Sequence, residues 1–295
     1  MREPALSVVV MGYRNESTII DAVASVVDQA ACDGSEVVVV TSGGDGSRAK
    51  VAASFPGVRV VESERRLLPG AARNAGVRAT RGEHVAFLAA DCVAEPGWVG
   101  ARLSSHRAGH RAVAGAMTTR AGAGRAARAS HYLLFGARLS GRPAGIVRFP
   151  DPAAHGISYA RSLLAELGPF DETCLIGEDT DMARRCAGEE IWFDPDVRTA
   201  HRGPASARAL VRDEYRRAAH YARRERGANG SRVHRAAAAT EGQQLVRQLR
   251  ATAHWARRHG GEGWLSLTGI APWLIAGALA RRFARFRTLT ETSPA

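Results

Sequence analysis

An α/β chain with a mainly parallel sheet flanked by helices, extended at its C-terminal end by further helices, is the fold class this sequence predicts. Three observations carry the expectation. Short apolar runs rich in β-branched residues alternate with segments of helical period over residues 6–88. Those runs are apolar throughout, the pattern of strands covered on both faces. Charge then changes character near residue 202: residues 1–201 carry 23 Lys+Arg and 23 Asp+Glu, whereas residues 202–295 carry 18 and 6.

The first strand is expected in Leu6-Ser7-Val8-Val9-Val10-Met11, bounded by Pro4 and Gly12. A helix over 17–30 places Ile19, Ile20, Val23, Val26 and Val27 on one side, with Ser17 or Asn15 positioned to cap it. Residues 36–40, 58–62 and 85–88 read as further strands, and 47–54 and 70–79 as the helices between them. Ligands of such βαβ sheets lie beyond the carboxyl ends of the strands, where Tyr13, Asp45 and Asp91 fall. The Gly-, Ala- and Arg-rich stretch 121–145 holds one apolar patch, Tyr132-Leu133-Leu134-Phe135, which reads as a helix between loops. A further helix opens at Glu178, and residues 191–193 read as an edge strand.

These segments define an expected α/β domain over 1–203 and a basic helical extension over 204–295. In the extension, residues 206–226 form an arginine-rich helix with Leu210, Val211, Tyr215, Ala218 and Tyr221 on its apolar side, and 232–259 a second. Trp264–Ala280 is free of charge for 17 residues, then Arg281, Arg282, Arg285 and Arg287 follow. That length is at the lower limit for a membrane span, and Gly269, Pro272 and Gly277 interrupt it. An interfacial helix or hairpin at 264–287 and a packed core helix are the two expectations. The basic excess points to an anionic partner, an acidic membrane surface or nucleic acid. Nucleic acid fits less well, because the helices carry no recognised motif and interleave few aromatics. Lys50 is the only lysine, so part of the arginine content reflects coding bias.

Cys32, Cys92, Cys174 and Cys186 show no CxxC pairing, which argues against metal or redox clusters. With nothing before the first strand resembling a signal peptide, the expectation is a cytoplasmic protein, peripheral on the inner face of the cell membrane if its tail binds lipid. A Gly-x-Gly-x-x-Gly turn, a Walker motif and a nucleophile elbow are all missing, which excludes the usual dinucleotide dehydrogenases, P-loop NTPases and α/β-hydrolases.

Two acidic landmarks remain. Phe87-Leu88-Ala89-Ala90-Asp91-Cys92 closes a strand, and Gly177-Glu178-Asp179-Thr180-Asp181-Met182-Ala183-Arg184-Arg185 opens a helix. Asp91 is suited to hold a divalent ion or to cap the turn before Pro96. Asp179 is suited to act as a base or to offset the helix dipole. Arg184 and Arg185 suit a phosphate or intrahelical partners.

With Tyr13-Arg14-Asn15-Glu16, Gly70-Ala71-Ala72-Arg73-Asn74-Ala75-Gly76, Glu95-Pro96-Gly97-Trp98 and Gly168-Pro169-Phe170-Asp171-Glu172, these landmarks resemble the inverting family 2 glycosyltransferases over residues 6–225. The resemblance implies the GT-A fold, a Rossmann-like architecture, and sugar transfer from a nucleotide diphosphate (UDP, dTDP or GDP type) to a sugar, lipid-linked or small-molecule acceptor. It implies Asp179 as general base, and Tyr13, Asn15, Asp45, Arg73 and Asp91 around the donor. Gly156 and Glu178 would lie on the acceptor side, and Mg2+ or Mn2+ on Asp91, with His201 completing the shell. Two positions depart from the family pattern: Thr41-Ser42 stands where an acidic residue usually contacts the base, and Ala89 replaces the first aspartate of the metal motif. A non-catalytic nucleotide-sugar-binding homologue is the alternative reading.

Overall fold

The computed structural model describes residues 3–154, 156–229, 241–259 and 264–290. His155 and the 232–240 part of the expected second basic helix lie outside them.

The elements run β1 (Leu6–Tyr13), α1 (Ile19–Cys32), β2 (Glu36–Ser42), α2 (Ser47–Ser54), β3 (Arg59–Ser63), α3 (Pro69–Ala79), β4 (His84–Ala89), β5 (Cys92–Ala94), α4 (Trp98–Arg107), β6 (Ala112–Thr119), α5 (Arg125–Phe135), β7 (Gly145–Val147), β8 (Ser158–Ala160), α6 (Arg161–Leu167), α7 (Glu178–Arg185), β9 (Ile191–His201) and α8 (Ala207–Asn229). Two further helices follow, α9 (Glu241–His259) and α10 (Trp264–Thr290).

The strands form one sheet in the order β3-β2-β1-β4-β8-β6-β9-β5, with β7 also on β9. β1 lies parallel to β2 and β4, and β2 parallel to β3. The antiparallel pairs are β8 with β4 and β6, and β5 and β7 with β9. The chain winds outward from β1 to β3, then returns to β4 on the other side of β1. That reversal opens a crevice at the carboxyl ends of β1 and β4, the position where ligands of α/β sheets bind.

Several strands differ from expectation: β5, β7 and β8 have three residues each, too short to write a pattern, and two longer strands depart as well. β6 went unread because its Ala-Val-Ala-Gly-Ala-Met run is small-residue rich; Gly115 within it lies against Val197, where a Cβ would come within 2.6 Å of the Val197 side chain. Residues 191–193 are not an edge strand but the start of β9, which spans Ile191–His201 inside the sheet order. Asp194, Pro195, Asp196 and Arg198 interrupt its apolar pattern and hid its length.

Contacts divide the chain into one unit of residues 1–118 and 142–201 and another of 119–141 and 202–295. The first buries Val9, Val85, Ala114, Leu163, Phe170, Met182 and Phe193 in one cluster. The second packs Leu133 of α5, Leu210 of α8, Ala256 of α9 and Ile270, Leu274 and Ala278 of α10. Within α8 the buried side is rotated from the one expected. Val211 is 38% exposed, while Glu214 is fully buried and accepts a 2.8 Å hydrogen bond from Arg281 Nε. Among the described residues no helix is long and apolar enough to cross a membrane.

Candidate active site

The site is assembled by where the strands stop. β1 ends at Tyr13, and the Asn15 side-chain oxygen accepts the Tyr13 N–H at 2.8 Å. The Asn15 carbonyl accepts the N–H groups of Thr18 and Ile19, both at 2.9 Å, which starts α1. Neither Ser17 nor Asn15 is the N-cap residue; Thr18 is. The expected cap at Asn15 is spent instead on fixing the turn that presents Tyr13.

Asp45, expected beside the donor, has a local task. Its two carboxylate oxygens accept the N–H groups of Glu16 and Ser47, each at 3.1 Å, tying the loop after β2 to the loop after β1 and to the start of α2. Burial raises the Asp45 carboxyl pKa, but the bonds from Ser47 and Glu16 outweigh it and hold the pKa below the ordinary carboxylate value.

Asp91 follows β4, where the Ala90 N–H donates to the Met11 carbonyl at 2.9 Å. The next residue, Cys92, opens β5 and is paired with His201 at the end of β9. Strand pairing therefore joins residues far apart in the chain: His201 Nε2 lies 3.5 Å from Asp91 Oδ2. Desolvation raises the Asp91 pKa, yet the hydrogen bond and charge of His201, helped by the Cys92 thiol, hold it below the ordinary carboxylate value. A carboxylate and an imidazole suit a divalent ion whose remaining positions are filled by phosphate oxygens and water. Among the described residues no group of three or more His, Cys, Asp or Glu gathers in metal-binding geometry.

α7 begins at Gly177, whose φ of 98° is a left-handed conformation that disfavours any side chain. That turn brings Glu178 onto Arg73 of α3 in an ion pair, with Glu178 only 6% exposed. The Arg73 guanidinium also lies 5.5 Å from the centres of both the Phe87 and Phe170 rings. Asn74, next to it, donates to the Phe170 carbonyl and accepts the Phe170 N–H, both at 2.9 Å. Gly70 permits this docking, since a Cβ there would sit 2.1 Å from the Asp171 carbonyl oxygen. Asp179 is half-buried, and its Oδ1 accepts the Thr180 N–H at 2.7 Å. Arg184 and Arg185 serve as intrahelical partners, reaching Asp181 at 2.5 and 3.1 Å.

A cleft of about 310 Å3 opens over these strand ends, lined by Tyr13, Asn15, Arg66, Arg73, Asp91 and Glu178 among others. Asp45, Gly156, Asp179 and His201 are not among its lining residues. Of the neighbouring pair on α7, it is Glu178 that reaches the lining. Arg66 was missed by sequence reasoning; it stands after β3 with no pattern to mark it, and its guanidinium covers the Tyr13 ring at 4.6 Å.

Gly156 sits over a buried polar network. Its carbonyl accepts from Arg102 Nη2 at 3.4 Å, while Arg102 Nη1 donates to the Val113 carbonyl and Ser158 Oγ at 3.0 and 2.9 Å. The Arg102 cation lies 4.2 Å from the centre of the Trp98 ring. His106 touches Ser158 Oγ at 2.9 Å and the His110 carbonyl at 2.7 Å, and stacks on His84. Burial, then the charges of His84 and Arg102, push the His106 pKa down to about 3, although the His110 carbonyl bond opposes the shift.

Comparison with known proteins adds the relatives. The sequence model of glycosyl transferase family 2 matches residues 7–168. Over 94 residues the chain is 37% identical to the succinoglycan biosynthesis protein ExoO of Rhizobium meliloti (strain 1021), a match covering 32% of this chain and 27% of that protein. The match thus spans about a quarter of that relative's length. Among solved structures, the mannosyltransferase PcManGT from Pyrobaculum calidifontis, in complex with GDP-Man and Mn2+, superposes with a TM-score of 0.57 at 19% identity, covering 97% of this chain and 88% of that one. S. aureus TarS 1–349 in complex with UDP-GlcNAc gives 0.55 at 13% identity, covering 95% and 90%. At such identities the likeness speaks to the fold alone.

Proposed function

The chain belongs to glycosyl transferase family 2, and from that premise we propose that it is an inverting GT-A enzyme moving a sugar from a nucleotide-diphosphate donor to an acceptor hydroxyl. The observation that carries the reading is the cleft at the β1/β4 switch point, where Tyr13, Arg73, Asp91 and Glu178 share one wall system of about 310 Å3. A donor of the UDP, dTDP or GDP type is the proposed substrate; two of the structural neighbours hold GDP-Man and UDP-GlcNAc. The aromatic face of Tyr13, backed by Arg66, offers a stacking surface for the base. Asp45 acts at one remove, by holding the Glu16 and Ser47 loops that shape this end of the cleft.

Asp91 and His201 would hold Mg2+ or Mn2+ in this reading. The ion, when bound, supplies charge neutralisation on the leaving diphosphate. Asp179 takes the proton of the acceptor hydroxyl. The acceptor oxygen then bonds to the anomeric carbon as the bond from that carbon to the diphosphate oxygen breaks, so one displacement inverts the configuration. Glu178 is already engaged with Arg73, which leaves it the task of fixing the base of α7 beside the acceptor. Gly156 closes the acceptor side, its backbone held by Arg102.

Thermal unfolding with UDP, dTDP and GDP, each with and without Mn2+, followed by transfer assays with the matching sugars, tests the reading. One nucleotide should raise the melting temperature in a Mn2+-dependent way. Asp179→Asn should keep that shift and lose turnover by about 10²–10⁴-fold. If no nucleotide diphosphate stabilises the protein, the proposal fails.

A further inference from the structure

Helix α10 has an exposed face that its packing does not explain. Ile275, Leu279, Phe283 and Phe286 are 46, 49, 60 and 48% exposed. Their spacings of four, four and three residues place them within an arc of about 80° on an α-helix. Thr268, Pro272 and Thr290 are exposed on the same face, so the exposed surface stays free of acid along the helix. α10 contains no acidic residue at all, while Arg281, Arg282, Arg285 and Arg287 follow its apolar half. Three of these arginines, with Arg217, Tyr221 and Glu225, line a cavity of about 620 Å3 on the same unit. Arg281 and Arg285 are matched by Glu214 and Glu225. Residues 202–295 as a whole nevertheless carry 18 basic and 6 acidic side chains.

We propose that the Ile275–Phe286 face of α10 is a docking surface for an anionic lipid bilayer, lying in the interface with its four apolar side chains among the acyl chains and the surrounding arginines at headgroup level. An apolar stripe of this length on a surface marks an interaction site. Charge selects the occupant. A second copy of the chain would bring an equally cationic helical unit against this one, whereas an anionic leaflet offers the opposite sign. The helix lies on the bilayer and does not cross it, since among the described residues no helix meets the length and apolarity of a span. The inference stands apart from the transfer reaction, and its test uses no substrate.

The full chain is floated with phosphatidylcholine vesicles and with vesicles of phosphatidylcholine and phosphatidylglycerol, at low and high salt. Binding should require phosphatidylglycerol and weaken as salt screens the arginines. The double variant Phe283→Ser with Phe286→Ser should bind at least about tenfold more weakly, with Leu279→Ser moving in the same direction as expected for lost apolar burial. Because these side chains are exposed, the urea unfolding curves of the variants should match that of the parent. Failure of the parent to float with anionic vesicles overturns the proposal, and so does equal flotation of the variants. A dimer seen by light scattering that the double variant dissociates, with no flotation, would reassign the face to a second copy.

Discussion

Asp91 with His201, at the carboxyl end of the sheet, and Glu214 with Arg281, in the helical unit, are both acid–base pairs made between distant parts of the chain. They differ in exposure. The Asp91 side chain keeps half of its surface open, whereas the Glu214 side chain keeps none. An open pair adds little to stability and leaves lone pairs for a ligand. A sealed one is needed to neutralise a buried charge, so removing either partner is costly. Equal motifs of opposite charge thus do different work, and solvent access separates them. Arg73 with Glu178 stands between the two: buried as a pair, yet part of the cleft wall.

The strongest way to break this comparison is to remove function without stability. Asp91→Asn should change the unfolding free energy by no more than about 1 kcal/mol. It should abolish the Mn2+-dependent part of the nucleotide shift, read by thermal unfolding. Asp179→Asn should spare binding and lower turnover by about 10²–10⁴-fold. Glu178→Gln sharpens the assignment of roles on α7. If Glu178 only positions α7 through Arg73, its amide should retain more activity than Asp179→Asn does, and the reverse ranking would move the base to Glu178.

The sealed pair predicts the converse. Glu214→Ala should destabilise the helical unit by about 3 kcal/mol, because Arg281 is left without its carboxylate and a void replaces the side chain. Urea unfolding followed by circular dichroism measures it. A loss below about 1 kcal/mol would place Glu214–Arg281 in the same class as the open pair.

A third buried cluster lies beneath Gly156 and responds to acid. His106 has a folded-state pKa of about 3, against an ordinary histidine value of 6.5. Below pH 6.5 the unfolded chain takes up a proton that the folded chain refuses. Stability from this group is therefore complete above that pH and falls as pH drops toward 3. Between pH 7 and pH 5 the loss should be about 2 kcal/mol. His106→Asn should lower stability at pH 7 and flatten the dependence; an unchanged slope would assign the acid sensitivity elsewhere.

How much of this was legible in the sequence follows from the range of each signal. The first four strands and their helices stand out because consecutive βαβ units write local, apolar, periodic patterns. Asp91 was found by its place after such a strand. Its partner His201 was reached through resemblance alone, since the β5–β9 pairing that joins them depends on a strand whose Asp194, Pro195 and Asp196 look like a turn. On α7 the adjacent acids differ by one residue, a rotation of about 100°. Periodicity does not say which acid faces the cleft when Met182 and Ala183 are both buried. Arg66 lies in an irregular segment, and only the folded chain puts it over Tyr13.

The smallest expected effect is at Val211, on the helix whose buried side the sequence misplaced. Spacing puts Leu210 and Val211 together on the apolar side of α8 and gives no sign of a buried glutamate. The structure turns the helix so that Leu210, Glu214 and Ala218 face inward, and Val211 faces out at 38% exposure. The pattern misled because Arg281 makes Glu214 compatible with the interior, an arrangement that needs two helices to see. Leu210→Ala should cost about 3 kcal/mol by emptying core volume. Val211→Ser should stay within about 0.5 kcal/mol of the parent, as surface substitutions do. Comparable losses at both positions in urea unfolding would mean that α8 packs with the face its sequence alone suggests, and that Glu214 is not sealed.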